Sequence, residues 1–235
     1  MRLDQYLFDS HKAQSRQKAQ ELIALGCVYV DGKQIFKNSF RIDEDCVVEI
    51  TTERKQWVAR SGEKLWGFLL MQDIKVDGKE VLDIGSSTGG FSEVLLERGA
   101  QKIVCVDVGS DQLHPKLRNH PKITVFENQD IRTFDHHPFE LIVCDVSFIS
   151  LDLILKKIYE LALGECILLF KPQFELGRLA KRNKKGVILN QKEVLERIEE
   201  FVGFAQKLGF ELKAIQKSHL RGKCGNEEYF IYLSK

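Results

Sequence analysis

The stretch VLDIGSSTGGFSEVLLERG, residues 81–99, sets a glycine-rich loop between an apolar strand-like run and a helical pattern. A loop at the carboxyl end of a buried strand is a common site for nucleotide-like ligands. Gly85 and Gly90 fit the frame of a phosphate-binding loop, but Phe91 stands where that loop needs a lysine. A dinucleotide loop would need a glycine in place of Ser87. The loop alone therefore leaves open a nucleoside ligand without phosphates, such as S-adenosylmethionine, or a turn that binds nothing.

Acidic residues at the ends of three successive apolar runs narrow this choice. Asp83, two residues before Gly85, suits the amine of S-adenosylmethionine, directly or through water. Asp107 lies about 22 residues past Gly85, at the spacing of acids that bind ribose hydroxyls. Asp130 ends the third run and would meet an adenine amino group. Any one could be a solvated acid, but together they predict an S-adenosylmethionine site. The predicted cofactor-binding residues are Asp83, Gly85, Ser86, Ser87, Thr88, Gly89, Gly90, Phe91, Asp107, Val108, Asp130, Ile131 and Asp145.

Two more charged residues end the next apolar runs. They are Asp145 in VCDVSF and Lys171 in LLFKPQFELG. A lysine at the end of an apolar strand is costly unless it is exposed or paired. On spacing alone, the two residues could form a surface ion pair without chemistry, or part of a catalytic set beside the glycine loop.

The hydrophobic pattern predicts the elements that position these residues. From Val81 onward, polar helical stretches separate the apolar runs VLDIG, IVCVDVG, ITVFENQD, LIVCDVSF and CILLFKP. Strands buried on both faces and joined by helices predict a doubly wound, Rossmann-like α/β sheet. Two strand-like segments in FELKAIQKSHLRGKCGNEEYFIYLSK could add an antiparallel pair at the C-terminal end.

The first fifty residues follow a different pattern. QSRQKAQELIALG predicts a helix that Ser15 caps and Gly26 ends, and Asp31-Gly32 in CVYVDGKQI predicts a type I′ hairpin. With the strand-like CVVEI, these elements predict a small α+β domain. We expect an N-terminal domain at residues 1–53, a linker at 54–60 and the α/β domain at 61–235.

Composition limits the classes of function. The 235 residues carry a net charge of +1, so nucleic-acid contacts must come from local patches. Six scattered cysteines without a C-x-x-C pair predict neither a metal site nor a disulfide framework. Without a signal-like or membrane-length apolar stretch, we expect a cytoplasmic protein that needs no membrane.

Seven motifs in consistent order closely resemble the TlyA family over essentially the whole chain. They are RSGEKL, LDIGSSTGGFSEVLLERGA, VDVGSDQL, CDVSFISL, KPQFELGR, KGVI and GNEEYF. The resemblance implies an RNA-binding domain of the ribosomal-protein-S-four type joined to an FtsJ-like methyltransferase domain. It further implies 2′-O-methylation of a cytidine in ribosomal RNA with S-adenosylmethionine. The family's Lys-Asp-Lys-Glu catalytic set falls on Lys64, Asp145, Lys171 and Glu228.

The chemistry of these residue types agrees with that implication. A ribose hydroxyl is a poor nucleophile at neutral pH, so a base must approach its proton. Lys171 could serve as this base when uncharged, a form that the charges of Lys64 and of the cofactor's sulfonium favour. Asp145 and Glu228 would orient the two amines, and Glu227 is a neighbour that mutation should separate from Glu228.

Local basic clusters are candidates for RNA contacts. The first 41 residues carry seven Lys or Arg against four acids, which could be a solvated face. The likeness of MRLDQYL, SRQKAQELI and GCVYVDGK to the family's RNA-binding domain favours phosphate contacts instead. The predicted RNA-binding residues are Arg2, Arg16, Lys18 and Lys33, with Lys181, Arg182, Lys184 and Lys185 as a clamp on the substrate strand.

Two departures from the family pattern refine the expectation. Lys55 in KQWV takes the arginine position of the family's linker pattern Arg-x-Trp-Val. The chain also ends soon after EEYFIYLSK, and shorter family members are associated with the large ribosomal subunit alone, so we expect that target. The alternatives are a non-catalytic RNA-binding or ribosome-assembly factor and, from the family's haemolysin label, a membrane-active protein.

Overall fold

The computed structural model describes residues 1–43, 45–51, 56–177 and 180–235, so Lys55 lies outside the described residues. The N-terminal part pairs two helices with an antiparallel sheet of order β2-β1-β3. Its elements are α1 (Leu3–Asp9), α2 (Arg16–Ala24), β1 (Val28–Val30), β2 (Lys33–Gln34) and β3 (Val48–Ile50). Leu3, Leu7, Ile23 and Val28 are fully buried in its core.

The turns of this part follow the predicted signals. Ser15 Oγ accepts a hydrogen bond of 3.0 Å from the Lys18 amide, and Gly26 has a φ of 67° just beyond α2. Asp31 and Gly32 join β1 to β2 with φ values of 50° and 74°, as a type I′ turn requires. Each of these predictions is confirmed.

The rest of the chain builds a seven-stranded sheet of order β6-β5-β4-β7-β8-β10-β9. Strands β4 to β8 are parallel, and β10 is antiparallel to both neighbours. This confirms the predicted Rossmann-like fold and the C-terminal strand pair. Its elements are α3 (Arg60–Gln72), β4 (Glu80–Ile84), α4 (Gly90–Glu97), β5 (Lys102–Val106), α5 (Pro115–Arg118), β6 (Ile123–Phe126), β7 (Phe139–Cys144), α6 (Leu155–Leu161), β8 (Ala162–Phe170), α7 (Pro172–Glu175), α8 (Gln191–Leu208), β9 (Glu211–Lys217) and β10 (Tyr229–Ser234).

Both faces of this sheet are covered, which explains the continuous apolar runs. Leu82 and Ile142 point into one core with residues of α6 and α8, while Val81 and Val143 point into the other with residues of α3 and α4. Strand order reverses between β4 and β7, and ligands of open α/β sheets bind at such a point. We call the side where β4 to β8 end the carboxyl edge.

The small sheet packs directly on α3. Trp66 Nε1 donates a hydrogen bond of 2.6 Å to Gln34 Oε1. The Phe36 ring lies 5.0 Å from the ring of His219, centroid to centroid. Lys64 lies on the same helix as Trp66, so the N-terminal part contacts the helix that carries a candidate catalytic residue.

Two global features bear on function. Within the described ranges, no helix is both long and apolar enough to cross a membrane. In the same part of the chain, no three His, Cys, Asp or Glu side chains gather in a group that could hold a metal ion.

Candidate active site

Three buried charged side chains and the largely buried Asp145 form two ion pairs at the carboxyl edge. Lys64 Nζ lies 2.6 Å from Glu228 Oε2, and Lys171 Nζ lies 2.6 Å from Asp145 Oδ1. Gln173 Nε2 donates a longer bond of 3.4 Å to Glu228 Oε1. The structure therefore brings together all four predicted catalytic residues.

The fold explains why distant residues meet there. Asp145 directly follows β7 and Lys171 directly follows β8, so both lie where parallel strands end. Glu228 immediately precedes β10, whose first residue Tyr229 pairs with Phe170 at the end of β8. Because β10 is antiparallel, its beginning lies at the same edge as the ends of the parallel strands.

Burial separates these pairs from ordinary surface salt bridges. The side chains of Lys171 and Asp145 are only 10% and 16% exposed, which argues against the surface pair left open by the sequence. Burial raises the pKa of Asp145, and the positive charges of Lys171 and Lys64 oppose that rise. Lys171 Nζ also donates a bond of 3.0 Å to Ser147 Oγ, which fixes the amine in position.

The glycine loop borders two cavities that together reach from the sheet to Lys171. The larger cavity, about 560 Å³, is lined by the ends of β4, β5 and β7 and by Asp107, Asp130 and Ile131. The smaller, about 200 Å³, is lined by the loop residues Ser86 and Thr88 and by Lys171. Both share Gly85, Ser87, Asp145 and Ser147. The combined space has the size and polarity that a nucleoside with an amino-acid tail requires.

Asp107 and Asp130 both face the larger cavity, yet each already has partners. Asp107 accepts hydrogen bonds of 2.8 Å from the amides of Ser87 and Gly109. Asp130 accepts from the Arg132 amide at 2.9 Å and forms an ion pair with its guanidinium, which lowers the pKa of Asp130. The sequence prediction missed Arg132, which lines the same cavity.

Asp83 lies beneath the glycine loop rather than on the cavity wall. It is fully buried, and Oδ2 accepts a hydrogen bond of 2.5 Å from Ser92 Oγ. Burial raises the pKa of Asp83 to about 7, and the charges of Asp145 and Asp107 add to that rise. Its other oxygen, Oδ1, is buried without a hydrogen-bond partner among the described residues. Such an orphaned acceptor fits a site that receives a donor, such as a ligand's amine.

Gly89 and Gly90, two of the predicted cofactor-binding residues, pack closely against other helices. Neither lines either cavity. At Gly89, where φ is 94°, a Cβ would overlap the Leu117 side chain, and at Gly90 it would overlap Ser61 Oγ. Their glycine requirement therefore arises from close packing of α4 against its neighbours. Phe91 is 2% exposed and stacks on Phe230, reaching only the edge of the smaller cavity.

Phe148 is an exposed aromatic residue that the sequence analysis missed. It is 91% exposed, has a φ of 67° and lines the larger cavity three residues after Asp145. Its ring centroid lies 5.1 Å from that of Phe174. The apolar pattern VSFIS gave no sign that this ring faces solvent. Val108, which was predicted, is 72% exposed beside the same cavity.

The predicted RNA-binding residues of the N-terminal part are mostly engaged. Arg2 Nε and Arg16 Nε lie 2.9 Å and 3.1 Å from the fully buried carboxylate of Asp4, so both are held in place and about half exposed. Lys18 pairs with Glu21 at 2.9 Å, whereas Lys33 is exposed. Arg2 and Arg16 therefore help to hold the N-terminal part together, and only their exposed halves are open to RNA phosphates.

The second basic cluster lies on a separate exposed segment. Lys181, Arg182, Lys184 and Lys185 are all exposed. Arg182 Nη2 donates a hydrogen bond of 3.0 Å to the Leu176 carbonyl, which ties the segment to the residues after α7.

Comparison with known proteins agrees with this geometry. A family model of FtsJ-like methyltransferases matches residues 57–235, and a model of the S4 domain matches residues 1–48. The 23S rRNA (cytidine-2′-O)-methyltransferase TlyA of Campylobacter jejuni is 46% identical over 240 residues, covering 94% of each chain. The 16S/23S rRNA (cytidine-2′-O)-methyltransferase TlyA of Mycobacterium tuberculosis is 36% identical, covering 99% of this chain and 89% of that protein.

A solved structure shows the same relationship. A protein from Streptococcus thermophilus, described as a hemolysin, matches at a TM-score of 0.73 and 31% identity, covering 100% of this chain and 88% of the other. Because such matches extend over nearly the whole length, the chain belongs to the TlyA family of FtsJ-like methyltransferases.

Proposed function

We propose that this protein uses S-adenosylmethionine to methylate the 2′-hydroxyl of a cytidine in large-subunit ribosomal RNA. The observation that carries the proposal is the Lys171–Asp145 pair on the wall of the glycine-loop cavity, with the buried Lys64–Glu228 pair close enough for its charges to act on Asp145. The name of the Campylobacter jejuni relative, which gives 23S rRNA alone, supports the large-subunit target. The Mycobacterium tuberculosis relative is named for both subunits, so the small subunit belongs in the test.

The cofactor would lie across the two cavities. Asp107 would accept from the ribose hydroxyls, and Asp130 with Ile131 would border the adenine. The orphaned Oδ1 of Asp83 would receive the amine, directly or through water, and Gly85 would let the chain approach closely. When bound, S-adenosylmethionine supplies an activated methyl group at an electrophilic carbon.

Lys171 would act as the base toward the ribose. Its Nζ is fixed between Asp145 Oδ1 at 2.6 Å and Ser147 Oγ at 3.0 Å, and in its uncharged form it would take the proton of the 2′-hydroxyl. Glu228 holds Lys64 in place, and the fixed geometry contributes by orientation.

Several features would hold the RNA. The exposed ring of Phe148 offers a stacking surface for a nucleobase beside the catalytic pairs. Lys33 and the exposed faces of Arg2, Arg16 and Lys18 would meet phosphates, as would the cluster Lys181, Arg182, Lys184 and Lys185. We also propose that residues 54–60 link the N-terminal domain to the α/β domain. We further propose that the protein is cytoplasmic and that its activity needs neither a metal nor a membrane.

Methyl transfer to isolated ribosomal subunits tests this function. Purified protein would be incubated with methyl-labelled S-adenosylmethionine and with large or small subunits from cells that lack the modification. We expect label in large-subunit RNA, mapped to the 2′-oxygen of one cytidine. No transfer to either subunit, with cofactor binding intact, would instead favour a non-catalytic RNA-binding factor.

A further inference from the structure

A third cavity, of about 610 Å³ and wide open to solvent, lies outside the cofactor region and is lined mainly by cations. Its charged lining residues are Arg60, Lys185, Arg221 and Lys223, and we call it the basic cavity. Among the described residues, none of its lining side chains is a carboxylate. Four cations around one concave space form a preferred location for an anion.

The basic cavity adjoins the catalytic pairs. Arg60 is the first residue of α3 and lies about one turn before Lys64. Gly222, which also lines the basic cavity, lies so close to Glu228 that an added Cβ would overlap Oε1 of that carboxylate. A strand bound across the cavity therefore passes next to the Lys64–Glu228 pair.

Hydrogen bonds join the chain segments that line the basic cavity. Asn226, which is 3% exposed, accepts a hydrogen bond of 2.9 Å from the Ile188 amide through Oδ1. Its Nδ2 donates a hydrogen bond of 3.2 Å to the Gly186 carbonyl. The Gly222 amide donates a hydrogen bond of 2.8 Å to the Asn226 carbonyl. One buried side chain thus joins the segment that carries Lys185 to the loop that carries Lys223.

Most of the positive charge in the cavity is uncompensated. Arg221 Nη2 lies 3.1 Å from Glu227 Oε1, which also binds Lys217 Nζ at 2.6 Å. Arg60, Lys185 and Lys223 form no ion pair within 4.0 Å in the described part of the chain. These three exposed cations add to one another's attraction for an anion, and RNA offers one such anion per nucleotide.

We propose that the basic cavity binds a backbone phosphate of the RNA strand, next to the nucleotide whose ribose meets the catalytic pairs. This inference rests on the proposed function and adds to it a site, made by Arg60, Lys185 and Lys223, that sets the path of the substrate strand. Backbone contacts of this kind position a strand without reading its sequence.

RNA affinity as a function of salt tests the site. The variant R60A/K185A/K223A would be compared with K75A/K122A/K207A, which removes three exposed lysines near the opposite end of the strands that likewise form no ion pair among the described residues. The probe is a short fluorescent single-stranded RNA, measured by anisotropy at several salt concentrations. We expect the cavity variant to bind about 10- to 100-fold more weakly, with a log–log salt slope shallower by about 2. The control variant should bind as the wild type does, and both should keep wild-type affinity for S-adenosylmethionine by calorimetry.

The results that would overturn the phosphate site can be distinguished from a failure of the proposed function. Unchanged RNA affinity and salt slope in the cavity variant would overturn the site, as would an equal loss in the control. Selective loss of binding to anionic lipid vesicles instead of RNA would also overturn it. If the wild type methylates no ribosomal RNA but the cavity variant still loses RNA affinity, the proposed function fails while the phosphate site stands.

Discussion

Lys64 and Glu228 are 164 residues apart in the chain, yet Nζ and Oε2 lie 2.6 Å apart in a buried pair. Glu227, the preceding residue, points away and binds Lys217 and Arg221 near the surface. Two adjacent glutamates thus have opposite surroundings, and substitution can distinguish their roles.

E228Q should impair methyl transfer far more than E227Q. Removing the charge of Glu228 leaves Lys64 as an uncompensated buried cation and loosens its position. We expect single-turnover transfer to fall by about 100-fold or more for E228Q and to change less than about threefold for E227Q. Thermal denaturation would check that both variants fold. Equal losses in the two variants would contradict the assignment.

Asp83 should make stability depend on pH. Burial raises its pKa from 3.8 to about 7, so the folded protein binds a proton that the unfolded chain has released. Stability from this group is therefore greatest below about pH 4 and is lost as pH rises toward about 7. In D83N the amide oxygen can still accept from Ser92, but the titration is absent. The stability of D83N relative to wild type, by urea unfolding, should rise by a few kcal/mol between about pH 5 and pH 8. A constant difference would contradict the shift.

His219 should make stability depend on pH in the opposite direction, so that stability falls as pH falls. Both ring nitrogens are buried without partners among the described residues, and burial, then the charge of Lys64, lowers the pKa of His219 to about 4. In the unfolded chain the pKa of His219 is 6.5, so the unfolded chain binds the proton first as pH falls. Stability therefore falls as pH drops from about 6.5 toward 4. H219L should remove about 1–2 kcal/mol of the wild-type loss between about pH 7 and pH 5. Parallel urea-unfolding profiles for the two proteins would contradict this expectation.

Glu175 should stabilise the loop that follows β7. Its carboxylate accepts hydrogen bonds of 2.6 Å from Ser150 Oγ and 2.9 Å from the Leu151 amide, and Arg197 lies 3.8 Å away. E175A would leave a buried amide without an acceptor, so we expect a loss of about 2–3 kcal/mol in urea unfolding. E175Q keeps one acceptor oxygen and should lose less. Equal losses would show that the acceptor does not matter.

The sequence predicted the carboxyl-edge residues because parallel strands end on one side of a sheet. Asp107, Asp130, Asp145 and Lys171 each follow an apolar run, so their common location needed only the order of the elements. Glu228 could not be placed in this way, since it precedes an antiparallel strand. Only the family resemblance indicated it.

Other features depend on packing that no local pattern records. Asp4 is buried between Arg2 and Arg16 because α1 and α2 meet there, which charge counting could not show. Gly89 and Gly90 were predicted as ligand contacts from the loop pattern, which could not show that neighbouring helices also leave no room for a Cβ at either position. The basic cavity joins three separate segments of the chain, so its charges were visible in the sequence only as scattered residues.

The most direct test of the account is single-turnover methyl transfer by K171R and K171A with saturating cofactor and large subunits. Arginine can keep the ion pair with Asp145 but cannot release a proton at neutral pH, so K171R separates base chemistry from charge. We predict that both variants bind cofactor and subunits normally and transfer the methyl group at least about 100-fold more slowly than wild type. Transfer by K171R or K171A at near the wild-type rate would contradict the role of Lys171 as the base.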